Sequence, residues 1–197
     1  MAMDEVTSNE PAAAGERTPR HTVRRLAIRL GRWALILAVL LLVLRLTGCM
    51  ERLFYIPTSG PTPPPDSPPG VEKVFFESAD GTRLCGWFIP AQVASNDDAS
   101  APTILHVHGN AGNMESHQFF TEHLPPAGYN VFLFDYRGYG ESEGTPRRRR
   151  ALIDDTHAAL DYILQREDVD RQRIGLYGQS LGGSIALNVM ADRKSVV

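Results

Sequence analysis

The chain has 197 residues, 43% of them hydrophobic and 22% charged, which is the composition of a globular protein with room for one domain and an appendage. A net charge of −3 argues against a nucleic-acid binder. The two cysteines, Cys49 and Cys85, sit in neither a C-x-x-C nor a Cys/His cluster, so neither a disulfide framework nor a metal site is expected.

In chain order, Met1–Arg20 carries almost no large apolar side chain and reads as disordered. Arg20, Arg24, Arg25, Arg29 and Arg32 follow, and then Trp33–Leu44 runs twelve residues without a polar side chain. At about 1.5 Å per residue this apolar core spans roughly 18 Å, short of about 30 Å of hydrocarbon. Leu46-Thr47-Gly48-Cys49 resembles a bacterial lipobox, and that resemblance implies lipidation at Cys49. The segment therefore admits a lipoprotein signal, an uncleaved signal anchor, or a buried core helix. The first two place the N-terminus in the cytoplasm and the domain outside, because arginine is concentrated before the apolar run. Leu53–Pro57 is apolar and aromatic, suited to a membrane interface or to an arm packed on the domain. Thr58–Gly70 holds six prolines in thirteen residues and reads as an extended spacer. The expected organisation is a disordered basic N-terminus (1–25), a hydrophobic signal or anchor segment (26–48), a Pro-rich linker (49–70) and a partial catalytic domain (71–197).

From Val71 the pattern alternates. Val71–Ser78 and Arg83–Ile89 read as a hairpin around an Asp80-Gly81 turn, with Cys85 a buried, inert thiol. Pro90–Pro102 reads as a surface loop and Thr103–Val107 as a short strand. Glu115–Leu124 reads as a helix ended by Pro125-Pro126. Val131–Phe134 is an uninterrupted apolar run, as expected of a parallel strand covered on both faces. Ala151–Gln165 has helical spacing, Arg173–Tyr177 reads as a strand, and Gly183–Ala191 as a helix. Strands alternating with helices imply a mostly parallel, mixed α/β sheet flanked by helices. The run Arg147–Arg150 is expected to stay in the loop, since cations are unfavourable at a helix N-terminus. Solvated surface is its plainer reading, and contact with anionic headgroups the sharper one.

Gly178-Gln179-Ser180-Leu181-Gly182 lies between the last strand and the last helix, the setting a nucleophile elbow needs. There Ser180 would be a nucleophile at the top of the sheet, and the Leu181 N–H an oxyanion donor at the helix start. Three motifs in order resemble the α/β-hydrolase superfamily: His108-Gly109-Asn110-Ala111-Gly112-Asn113, Phe134-Asp135-Tyr136-Arg137-Gly138-Tyr139-Gly140, and the elbow. Within it they resemble the membrane-anchored serine hydrolases called BEM46-like or serine-aminopeptidase-like. The resemblance spans about Leu53 to Ala191. It implies an α/β-hydrolase fold, no cofactor or metal, a small ester or related acyl substrate, and a second oxyanion donor from the backbone of Asn110. By the same pattern His108 is structural, and Asp135 and Arg137 shape their loop. His106 is expected to pack, and His117, His123 and His157 to be exposed polar positions on helices. No histidine follows Ser180 in the remaining seventeen residues, and the only carboxylate there is Asp192. The family's acid and histidine come from loops after later strands, so the expectation is a fold truncated after the elbow helix, inactive alone. Arg173–Tyr177 would then lie at an exposed sheet edge. A non-catalytic, membrane-tethered or partner-binding protein is the alternative.

Overall fold

A computed structural model describes residues 19–46, 53–66, 69–92 and 101–192. The chain divides into two compact units, Met1–Leu44 and Arg45–Val197. Cys49 and its proposed lipidation, residues 1–18 of the expected disordered segment, and most of the loop between the hairpin and Thr103 lie outside the described residues.

The first unit is helix α1, Pro19–Leu46. It begins far upstream of the apolar core, through the arginine-rich stretch. Arginine is a good helix former, and each added residue needs only propagation, not a new nucleus. Val23–Leu46 is a 24-residue segment long and apolar enough to cross a membrane, about 36 Å at 1.5 Å per residue. Val23, Trp33 and Leu41 of this helix are 66%, 67% and 48% exposed.

The second unit is built on a five-stranded sheet. The strands are β2 (Glu72–Glu77), β3 (Arg83–Ile89), β4 (Thr103–Val107), β6 (Asn130–Phe134) and β7 (Ile174–Gly178), in the spatial order β2-β3-β6-β4-β7. β2, β3 and β6 pair antiparallel, while β6, β4 and β7 run parallel. β7 forms one edge, with Tyr177 37% exposed. Alternate side chains of β3 and β6 serve opposite faces, as strand geometry requires. Leu84, Phe88, Phe132 and Phe134 join one core with Leu105, Leu152, Ile163, Ile185 and Val189. Cys85, Trp87, Ile89, Val131 and Leu133 join the other with Met114. Gly86 lets these layers close, since a Cβ there would lie 2.8 Å from the Leu133 carbonyl oxygen.

Two short strands form a separate parallel ribbon: β1 (Ile56–Pro57) pairs with β5 (Ala111–Gly112). The segment Leu53–Pro57 is thus an arm laid on the domain. The proline-rich stretch begins in the same way and not as a free spacer. Gly60 N–H donates to Gly140 O at 2.8 Å, Thr62 N–H donates to Glu141 at 2.6 Å, and Thr62 is buried.

The expected helix over Glu115–Leu124 is broken. Helix α2 covers only Met114–His117, capped by a reciprocal Asn113/Ser116 box. A 3₁₀ turn, Gln118–Phe120, follows. Tertiary ties override helix propensity here: the His117 ring contacts Ala111 O at 2.7 Å, and Thr121 Oγ1 lies 3.2 Å from the buried His106 ring. Helix α3 (Arg149–Gln165) packs its Leu152, Ala159 and Ile163 face on the sheet. It also takes in the last two arginines of Arg147–Arg150, where Arg150 pairs with Asp154 one turn on. Helix α4 (Leu181–Asp192) starts immediately after Ser180, two residues earlier than expected.

Candidate active site

Three parallel strands end at one edge of the sheet, so the loops after β4, β6 and β7 converge there. The loop after β7 is the Ser180 turn. Ser180 has φ 53°, the only positive φ at a non-glycine position among the described residues. Holding an L-residue in that region costs of order 1–3 kcal/mol, and such strain persists only where the surroundings over-determine it. The surroundings here are glycines. A Cβ on Gly178 would lie 2.6 Å from the Gly183 Cα, and one on Gly182 would lie 1.8 Å from the Val107 carbonyl oxygen and 2.6 Å from that of His108. The absence of both lets the strand fold back sharply and lets α4 abut the end of β4. Ser180 is exposed at the tip of this turn. Leu181 opens α4, so its N–H has no intrahelical acceptor.

The loop after β4 is brought against the same turn. The Gln179 N–H donates to Val107 O at 3.2 Å. The Gln179 side chain covers Gly109, where a Cβ would lie 2.7 Å from its Oε1. Asn110, next in sequence, is therefore beside the elbow. Two tyrosines of the loop after β6 hold this stretch: Tyr136 Oη donates to His108 O at 2.9 Å, and Tyr139 Oη to Asn110 O at 2.7 Å. The Asn110 amide donates in turn to the Phe54 carbonyl. Sequence reasoning missed both tyrosines. The only signal is their placement in the glycine-punctuated loop, which says nothing of where the hydroxyls point.

His108 is buried, with Nδ1 2.7 Å from Gly109 O and Nε2 3.5 Å from Asp135 Oδ1. Burial pushes the ring's pKa down to about 3. Burial, aided by the like charges of Glu141 and Glu115, pushes Asp135 up to about 8 against the opposing Met114 N–H, which donates to its Oδ1 at 2.6 Å. Burial thus disfavours charge on both groups, and the Nδ1–H is donated to Gly109 O. No hydrogen bond joins either to Ser180 among the described residues. His106 is likewise buried, its pKa lowered to about 4 by desolvation. His117 differs from the expected exposed position: it is half-buried and stacked on His108 at 5.2 Å. Half-buried too is His157, with Nε2 3.4 Å from Asp192; His123 is exposed.

Arg137 pins the loop after β6 to its neighbours. Its Nη2 donates to the buried Asp155 at 2.7 Å, its Nη1 to Asp80 at 2.7 Å, and Nη2 also to Ser78. Hydrogen bonds from Arg137 and Thr82 hold the Asp80 carboxyl well below the usual range. Gly140 has φ 49°, and a Cβ there would meet Asp135 Oδ2 at 1.9 Å, so glycine is required on both counts. No group of three or more metal-ligating side chains occurs among the described residues. A cleft of about 370 Å³ between β2 and α3, lined by Phe76, His157 and Tyr162 among others, includes no residue of the elbow.

A sheet with this strand order, carrying a strained serine between its fifth strand and a helix, defines the α/β-hydrolase fold. The model of the alpha/beta hydrolase fold family matches residues 102–197. The Escherichia coli protein YfhR is 48% identical over 131 residues, covering 66% of this chain and 45% of its own. The Schizosaccharomyces pombe protein bem46 is 32% identical over 124 residues, covering 62% of this chain and 40% of its own. Among solved structures, the Pyrococcus furiosus esterase Pf2001 superposes with a TM-score of 0.58 at 26% identity, over 71% of this chain and 51% of that one. The chain belongs to the α/β-hydrolase superfamily and, within it, is related to the bem46-like proteins. It spans about half or less of the length of these relatives.

Proposed function

We propose that this chain carries the nucleophile half of a serine hydrolase acting on small esters or related acyl compounds. The observation that carries the reading is the positive φ of Ser180 at the β7–α4 turn, enforced by glycines that only a backbone pressed against a backbone requires. Ser180 Oγ attacks the acyl carbonyl carbon, and the π pair moves onto oxygen. The backbone N–H groups of Asn110 and Leu181 receive that oxyanion, each worth about 2.7–4 kcal/mol of barrier. Collapse of the intermediate expels the alcohol and leaves an acyl-enzyme on Ser180, which water hydrolyses. The proton of Oγ must go to a base, and Ser180 is a poor nucleophile without one. No histidine follows Ser180 in this sequence, and none of the described histidines hydrogen-bonds its hydroxyl. By itself the chain is therefore expected not to turn over.

The long apolar helix supports anchoring in a membrane, with the domain on the non-cytoplasmic side by the arginine asymmetry. Lipidation at Cys49 is the variant of this reading that palmitate incorporation tests, with Cys49→Ala as its control.

A fluorophosphonate probe tests the catalytic reading. The chain alone should not label. Co-expressed with the part of YfhR that lies beyond the aligned stretch, it should label at Ser180 and lose the label in Ser180→Ala. Labelling at another residue, or none in the complemented pair, favours a non-catalytic tethered protein.

A further inference from the structure

The end of the domain that presents Ser180 carries two surface features that the acyl-transfer reading does not use. The first is apolar. Leu53, Phe54 and Ile56 are 84%, 75% and 63% exposed. They belong to the arm whose Phe54 carbonyl accepts from Asn110 and whose β1 pairs with β5. Both contacts are made to the loop after β4, so these side chains stand beside the proposed oxyanion loop. Exposed large apolar side chains clustered in sequence and space mark a binding surface more often than isolated ones do.

The second is cationic. Arg147–Arg150 are all exposed at the start of α3, the helix that follows the loop after β6. Arg149 donates to Ser184 Oγ in the first turn of α4, one turn from Ser180. Among the described residues, Asp154 and Asp192 both pair with Arg150, so two carboxylates stand there against four guanidinium groups. The run is also unfavourable for the helix it begins, where the N-terminal dipole repels cations and Arg148 makes no side-chain cap. Helix stability does not explain the run.

An apolar aromatic patch and a basic cluster at the same end of the domain fit a phospholipid interface: aromatic rings sit at headgroup depth, and each surface arginine is attracted to anionic lipid. Covalent continuity adds to this. Leu53 follows the end of the apolar helix by seven residues, a reach of at most about 25 Å whatever their conformation.

We infer that this end of the domain docks on a bilayer containing anionic phospholipid, with Leu53, Phe54 and Ile56 in the interface and Arg147–Arg150 on the phosphates, so that Ser180 meets acyl esters presented at a lipid surface. The inference rests on the acyl-transfer reading of Ser180 and on anchoring by the apolar helix, and it narrows the substrate class to lipid-borne esters.

The test uses the full chain in vesicles, in a Cys49→Ser background. Cys85 stays in place, because burial raises its thiol pKa to about 11 and keeps it unreactive. An environment-sensitive fluorophore is placed singly on Phe54→Cys, on Leu37→Cys in the apolar helix, and on Arg171→Cys before β7, at the opposite end of the sheet. Quenching by brominated acyl chains is then read. Quenching several-fold stronger at position 54 than at 171, and diminished when Arg147–Arg150 are all replaced by glutamine in phosphatidylglycerol-containing vesicles, supports the inference. Quenching at 37 with none at 54 overturns it and leaves anchoring intact. No quenching at 37 overturns both. Quenching at 54 that ignores the arginine replacement and the phosphatidylglycerol content overturns the anionic-lipid assignment. Failure of the acyl-transfer reading is recognised separately, because fluorophosphonate labelling of the complemented chain does not depend on quenching.

Discussion

At the scale of single residues, the site is a conflict between local preference and position. Ser180 sits at φ 53°, where glycine would be unstrained. Ser180→Gly should therefore raise the unfolding free energy by about 1 kcal/mol, seen as a higher urea midpoint, while removing the proposed nucleophile. Unchanged or lower stability would show that the turn stores no strain. The buried Asp135 gives a pH signature. Its folded pKa of about 8 lies above the ordinary carboxylate value, so the protonated form is favoured in the native state. That contribution is full below about pH 4 and is lost as pH rises through about 8. The urea midpoint should fall between about pH 6.5 and 8 and level off above, and Asp135→Asn, which cannot ionise, should flatten that fall. The buried His106 and His108 act in the opposite sense. With folded pKa values of about 4 and 3, their contribution is present above about pH 6.5 and is lost as pH falls through those values.

At the scale of elements, two packing contacts place the elbow. Gly182→Ala would drive a Cβ into the Val107 carbonyl at the end of β4. Overpacking of this kind costs about 1–3 kcal/mol, and here it also separates Ser180 from the Asn110 loop. Chemical denaturation, together with probe labelling of the complemented chain, should show both losses. Arg137 joins the loop after β6 to α3 and to the β2–β3 turn. Arg137→Met would leave the buried Asp155 without its ion partner, at a cost of about 3–5 kcal/mol in the same denaturation measurement. The strands of the five-stranded sheet were legible in the sequence nearly to the residue, because short apolar runs bounded by turn residues admit few other structures. Less legible was the stretch after Asn113. Its helical pattern is real, but His117 and Thr121 are held by residues of β5 and β4, and no local period records that. The ribbon of β1 and β5 was equally hidden, since two-residue strands carry no periodicity.

At the scale of the whole molecule, an apolar helix precedes a domain whose serine loop has several of its supports far away in sequence. Phe54 contacts Asn110, and Gly60 contacts Gly140, so the segment after the helix is part of the site's scaffold. If Val23–Leu46 enters a membrane, the chain should stay in the carbonate-washed membrane fraction, and removal of residues 1–46 should release it to the supernatant. A chain already extracted by carbonate would exclude an integral anchor. The sequence by itself determined the strand–helix order, the apolar N-terminal segment and the place of Ser180 between the last strand and the last helix, because periodicity, composition and a motif between strand and helix are local properties. The tertiary structure alone decided the spatial order β2-β3-β6-β4-β7, the two tyrosines on the Asn110 loop and the buried His108–Asp135 pair. Each of these depends on residues distant in sequence meeting across the sheet, and on the burial that this meeting creates.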